Sequence, residues 1–175
     1  GEGYARSFCQ VYGLETVALR YFNVFGPRQD PTSQYAAVIP NFITALLSGE
    51  PPIIFGDGEQ SRDFTYVDNV VDANLLAMRA PGVAGKAYNI ACGERVTLNR
   101  LVAELRNLLE SDVQPSYASP RPGDIKHSLA DLARARVDLG YEPVVELREG
   151  LERTIDHLRN DDGITADGRV GTRDR

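Results

Sequence analysis

The chain has 175 residues, 42% apolar and 25% charged, which excludes an extended disordered chain, a collagen-like repeat and a disulfide miniprotein. A domain of this length buries roughly 68–70% of its unfolded surface, enough to hold a core. Its formal net charge of −6, from 19 basic and 25 acidic residues, argues against a general nucleic-acid binder, which needs a basic surface for phosphates.

Residues 2–12 read as the later turns of a helix, with Tyr4, Phe8, Val11 and Tyr12 on one face and Gly13 closing it. Thr16 to Phe22 is a nearly all-apolar, β-favouring run, as a parallel sheet covered on both sides produces. Asn23 to Tyr35 is a loop with Gly26, Pro27 and Pro31, and Pro40 sits in the first turn of a helix reaching Leu47. Ile53–Phe55 reads as a short strand, Gly56-Asp-Gly58 as a turn and Arg62–Tyr66 as a second strand. Asp68 is placed to cap a helix through Ala80, with Val70, Val71, Asn74, Leu75 and Met78 at helical spacing. Ala87–Ile90 is a strand, and Thr97 caps a helix carrying Leu98, Leu101, Val102, Leu105, Leu108 and Leu109. A proline-rich loop from Pro115 to Gly123 follows, then short helices from near Asp131 and near Leu147. The polar segment 160–175 has three glycines and no apolar periodicity, and is expected to be a disordered tail.

No apolar run reaches the ~18 residues of a membrane span, and no signal-peptide core opens the chain, so no membrane partner is expected. Cys9 and Cys92 lack metal-ligand spacing and read as reduced thiols of a cytoplasmic protein, with no metal site. Lysine occurs only at Lys86 and Lys126, so a bound anion would meet mainly guanidinium forks, which suit phosphate geometry. The chain opens Gly1-Glu2-Gly3 without a methionine and reads as a piece of something longer.

The sequence holds no Gly-x-Gly-x-x-Gly turn, no Gly-x-Ser-x-Gly elbow and no tyrosine with a lysine four residues on. What remains are polar residues on loops between apolar elements. Asn23 follows a strand at its carboxyl end, where open α/β sheets bind ligands, although asparagine there is commonly a turn former. Arg62 has an ordinary reading as a surface ion pair with Asp63 or Asp57. Arg28, Arg121 and Asp124 have equally plain readings as loop residues.

The ordered set Leu19–Pro31, Tyr35–Pro40, Phe55–Phe64, Tyr66–Val70 and Arg121-Pro-Gly-Asp124 changes those odds. Together these segments resemble the extended short-chain dehydrogenase/reductase superfamily, specifically its nucleotide-sugar 4-epimerases of the UDP-N-acetylglucosamine and UDP-glucose type. The resemblance covers about residues 1–159. It implies an α/β fold: the C-terminal part of an NAD-binding Rossmann domain, its last elements interleaved with a smaller nucleotide-sugar-binding subdomain. It also implies NAD as cofactor, a UDP-sugar as substrate and a homodimer paired through helices. The family's catalytic Ser/Thr and Tyr-x-x-x-Lys would lie upstream of Gly1, so this chain carries no catalytic residue of its own and is expected to be inactive alone.

Carried over by motif, Tyr21 and Phe22 match positions at the nicotinamide end of the cofactor. Asn23 matches a residue hydrogen-bonding the diphosphate-sugar, and Ala37 and Val38 match a segment contacting the nucleotide. Ile53 and Phe55 match positions flanking the uracil, Arg62 and Arg121 the pair gripping the diphosphate, and Asp124 an acid near the ribose. Ser128 stands where glucose-restricted members carry a tyrosine beside the sugar, which leaves room for a 2-acetamido group. The alternatives are a nucleotide-sugar 4,6-dehydratase, a UDP-glucuronate decarboxylase and a non-catalytic nucleotide-sugar binding module.

Overall fold

The computed structural model describes residues 1–29 and 38–161. In chain order the elements are α1 (Glu2–Tyr12), β1 (Ala18–Tyr21), β2 (Val24–Phe25), α2 (Val38–Leu47), β3 (Ile53–Phe55), β4 (Ser61–Arg62), β5 (Thr65–Tyr66), α3 (Val67–Arg79), β6 (Ala87–Ile90), β7 (Val96–Thr97), α4 (Leu98–Leu109), β8 (Ser116–Ala118), α5 (Ala133–Leu139) and α6 (Leu147–Asp161). They divide into two compact units. The first is built from Gly1–Val24, Arg62–Arg95 and His127–Glu146, the second from Phe25–Ser61, Val96–Lys126 and Leu147–Arg175.

In the first unit β1 and β6 run parallel, with Ala18 opposite Ala87 and Tyr21 opposite Ile90. Alternation along β6 buries Tyr88 and Ile90, which join Ala73 of α3 and Ala135 and Leu139 of α5 in one core. Leu19 of β1 packs against that core. Tyr141 is fully buried there, and its hydroxyl donates to the Ala91 carbonyl at 2.9 Å, so this buried polar group is satisfied. Arg20, one residue on from Leu19 and so on the other face of β1, makes a bidentate pair with Glu2 of α1, both bonds 2.6 Å. Helix α1 ends as its glycine predicts: Gly13 takes φ 67 and its N–H bonds the Cys9 carbonyl.

The apolar face of α1 is exposed, with Tyr4 at 76% and Tyr12 at 74%. Several expectations elsewhere are corrected. In α3 the residues turned inward are Asn69 and Ala73, while Val71, Leu75 and Met78 are exposed. Helical spacing identified both helices, but the buried face of α3 is made of a small residue and an amide. Asn69 serves as a core residue because it is saturated: its Oδ1 accepts from the Val144 and Val145 N–H groups and its Nδ2 donates to the Val145 carbonyl. Asp68 does not cap α3; the cap position is Tyr66, and Asp68 sits in the first turn, where a carboxylate favours the positive helix end. Strand β1 is shorter than the run 16–22, and the expected strand 62–66 is broken into β4 and β5 around the buried Asp63.

The second unit pairs β3 with β8 in parallel, Ile53 opposite Ser116 and Phe55 opposite Ala118. Strand β8 is absent from the expectations because Ser-Tyr-Ala between prolines has no apolar alternation; β3 supplies the pairing that its own sequence does not advertise. Helix α4 packs against α2 and α6. Its Leu98, Leu101, Val102 and Leu105 are buried, and Thr97 caps it by accepting the Arg100 N–H at 3.1 Å. Helix α6 continues through Asp161, so the first two residues of the expected tail are helical; 162–175 lie outside the described residues.

Candidate functional site

The second unit holds a cavity of about 460 Å³, within the ~300–1,000 Å³ of small-molecule sites. One wall is Phe55, Gly56, Asp57 and Gln60; the other is Ala118, Pro120, Arg121, Asp124 and Lys126. The β3/β8 pair joins these walls, and the Gly56 N–H extends the ladder to the Ala118 carbonyl at 2.8 Å. Alternation on β3 puts Ile54 in the core, fully buried, and leaves Ile53 and Phe55 on the opposite face. Gln60, 7% exposed, donates through Nε2 to the Phe55 carbonyl and fixes the strand's last residue.

The turn after β3 is held from α4. Asn99 donates through Nδ2 to the Asp57 carbonyl at 3.1 Å, and its backbone N–H reaches the Gly58 carbonyl at the same distance. A Cβ on Gly58 would collide with the Asn99 amide, and Gly58 has φ +77, so glycine is required twice over. Asp57 accepts the Glu59 N–H at 3.0 Å and pairs with Lys126 at 3.6 Å. Those two partners, the N–H first, hold its carboxyl below the usual range. On the other wall the Asp124 N–H closes a turn onto the Arg121 carbonyl at 3.3 Å, with Gly123 at φ 80. The Arg121 guanidinium stands 4.0 Å from the centroid of the Phe55 ring. A flat aromatic face beside a guanidinium suits a ligand with an aromatic base and an anionic group.

In the first unit, Asp63 is fully buried and acts as a junction. Its carboxylate accepts the backbone N–H groups of Cys92 at 2.9 Å, Gly93 at 3.0 Å and Ala130 at 3.2 Å. Burial raises its pKa and those N–H groups oppose the rise. Burial, with the Asp63 charge second, pushes the Cys92 thiol up to about 11. Asn23, with φ 35, donates through Nδ2 to the Asp63 carbonyl at 3.1 Å, and its own carbonyl accepts the Thr65 N–H at 3.2 Å. Tyr21 ends β1 and Phe22 follows it: the Tyr21 hydroxyl is paired with Asn74, and the Phe22 N–H bonds the Ile90 carbonyl.

The chain as a whole has counterparts among known proteins. Residues 1–91 match the model of the NAD dependent epimerase/dehydratase family. The chain belongs to that family. A putative UDP-glucose 4-epimerase of Methanocaldococcus jannaschii is 37% identical over 91% of this chain and 51% of its own length. Two solved structures superpose with TM-scores of 0.86, each over 91% of this chain. One is a Thermotoga maritima UDP-glucose 4-epimerase with UDP-glucose, 44% identical and matched over 50% of its length. The other is a Methanobrevibacter ruminantium UDP-N-acetylglucosamine 4-epimerase with UDP-N-acetylmuramic acid, 48% identical and matched over 51%. The chain thus spans about half the length of the relatives it matches.

For an epimerase/dehydratase chain, the predicted residues fall as follows. Phe55, Arg121 and Asp124 share the cavity of the second unit. Ile53 lies on the Phe55 face of β3 and is 54% exposed. Val38 is the first residue of α2, and Ala37 lies outside the described residues. Tyr21, Phe22, Asn23, Arg62 and the partly buried Ser128 belong to the first unit. The ordinary reading of Asp63 as a surface ion-pair partner is corrected, since backbone N–H groups surround its carboxylate. Sequence reasoning missed Gln60, Asp57 and Lys126 as cavity residues. Their only signal was proximity to the Gly-Asp-Gly turn and to Asp124. Tyr21 and Phe22, at the carboxyl end of two parallel strands, fit one wall of a dinucleotide cleft. They fit only its nicotinamide end, because this sequence has no glycine-rich phosphate turn.

Proposed function

We propose that this chain supplies the sugar-nucleotide-binding part of an NAD-dependent 4-epimerase acting on a UDP-hexose. The observation that carries this is the Arg121 guanidinium over the Phe55 ring in a cavity that also holds Asp124. Ile53 and Phe55 would flank the uracil, Asp124 would accept from the ribose, and Val38 would contact the nucleotide through its backbone. Arg62 and Arg121 would each give charge-assisted hydrogen bonds to the diphosphate, with Asn23 bonding its sugar end. Tyr21 and Phe22 would border the cofactor, which when bound supplies reversible hydride acceptance at the sugar C4. Holding the diphosphate firmly lets the hexose turn between two faces while staying bound. The acid/base tyrosine and lysine of the family are not among these 175 residues, so the chain binds without turning over, and the intact enzyme works as a cytoplasmic homodimer.

Calorimetric titration tests this. UDP-glucose and UDP should bind the chain with similar affinity and glucose should not, while incubation with UDP-glucose and NAD should yield no UDP-galactose. Equal, weak binding of all three would overturn it. Ser128, a small residue in place of a phenol, favours a second point: acceptance of 2-acetamido sugars. Ser128→Tyr should weaken UDP-N-acetylglucosamine and spare UDP-glucose; an unchanged ratio would contradict that.

A further inference from the structure

We infer that Asp63 is a positioning residue for ligand binding, the fixed point from which both Arg62 and Asn23 are aimed; this rests on the function proposed above. Three features of the first unit support it.

The first is saturation. Asp63 is fully buried, and both of its carboxylate oxygens are used: Oδ1 by the Cys92 N–H, Oδ2 by those of Gly93 and Ala130. An asparagine amide could not replace it, because one end would turn an N–H₂ group towards donors. Only a carboxylate offers acceptors on both sides, and that chemistry costs desolvation that a plain β-bridge would avoid.

Connectivity is the second. The three donors come from the turn after β6 and from the segment leading into α5, two stretches far apart in sequence. The carboxylate binds them to the break between β4 and β5. Arg62 directly precedes this anchor, so its Cα is separated from a fixed Cα by one rigid peptide unit.

The third is Asn23. Its Nδ2 donates to the Asp63 carbonyl and its carbonyl accepts from Thr65, so residues 23 and 63–65 are tied by two bonds. Asn23 holds φ 35, a conformation non-glycine residues seldom adopt, and these two bonds are what keep it there. One buried carboxylate thereby fixes the backbone carrying two side chains proposed to touch the same ligand.

A carboxylate that merely staples the fold would behave differently, and coupling separates the cases. UDP-glucose is titrated calorimetrically into the wild-type chain, Arg62→Ala, Asp63→Asn, Asp63→Glu and each Asp63 variant combined with Arg62→Ala. Asp63→Glu keeps the charge but lengthens the arm, and gives a second route if the amide variant does not fold. The expected result is a tenfold or greater loss of affinity from either Asp63 change, at least threefold smaller once Arg62 is already alanine, the remainder being the share that Asn23 carries. Full multiplication of the two losses, or an Asp63 variant that binds like wild type, overturns the inference. So does failure of both Asp63 variants to give a cooperative thermal transition, which would make Asp63 a fold residue. If wild type binds and Arg62→Ala weakens binding while Asp63 changes do not, the proposed function stands and this inference falls. If wild type does not bind, both fall.

Discussion

Arg121 and Phe55 meet across the cavity of the second unit, the guanidinium carbon 4.0 Å from the ring centroid. They come from two parallel strand-ends, β3 and the loop after β8, so the contact depends on a strand pairing rather than on neighbouring sequence. A cation over an aromatic face contributes about 0.5–2 kcal/mol. Replacing Phe55 with Leu keeps apolar volume and removes the π face. Stacking a base on an aromatic ring is worth about 1–3 kcal/mol, so UDP affinity, read by calorimetry, should fall about five- to 150-fold. No change would mean that the ring does not meet the base.

The core makes a separate prediction. Tyr141→Phe removes the hydroxyl that satisfies the buried Ala91 carbonyl. Leaving that acceptor unpaired should cost about 1–3 kcal/mol, read as a lower urea midpoint with unchanged slope.

Thr65 should respond the other way. Its side chain is fully buried and its hydroxyl oxygen has no hydrogen-bond partner among the described residues. Thr65→Val exchanges the stranded hydroxyl for a methyl of similar shape. Urea unfolding should show stability unchanged or raised by up to about 1–3 kcal/mol. A clear loss would place an ordered water or another partner at that oxygen.

Stability against pH has a sign that can be checked at Asp138. The Tyr88 hydroxyl at 2.8 Å and Lys86 at 3.0 Å, in that order, hold its carboxyl below the usual carboxylate range. The stabilisation is present above the unfolded-state value and is lost as pH falls through the folded one. Thermal melts of wild type and Asp138→Asn should differ at neutral pH and converge in strong acid. A gap that widens on acidification would contradict the assignment.

Much of this architecture was legible in the residues. Gly13, Pro40, Thr97 and the Leu98–Leu109 spacing mark helix ends and faces through local backbone chemistry, which needs no tertiary partner. Where tertiary partners decide, the sequence misleads. The apolar spacing of Val71, Leu75 and Met78 lies on the exposed side of α3, because Asn69 is paid for by three hydrogen bonds and takes the inner face. β8 forms only because β3 lies alongside. At the site, Arg121, Asp124 and Phe55 were visible as motif residues, whereas Gln60 and Lys126 act through where the strands bring them. Asp63 beside Arg62 looked like half of a surface pair; only its burial reveals a junction.

The most direct test of the nucleotide-diphosphate assignment is the dissociation constant of UDP-glucose for the chain, compared with Arg121→Ala and Arg121→Lys. A charged-group hydrogen bond contributes about 1.5–3 kcal/mol, so affinity should fall about ten- to a hundredfold with Ala, and Lys, lacking the fork, should restore only part of it. Undiminished binding by Arg121→Ala would contradict the account.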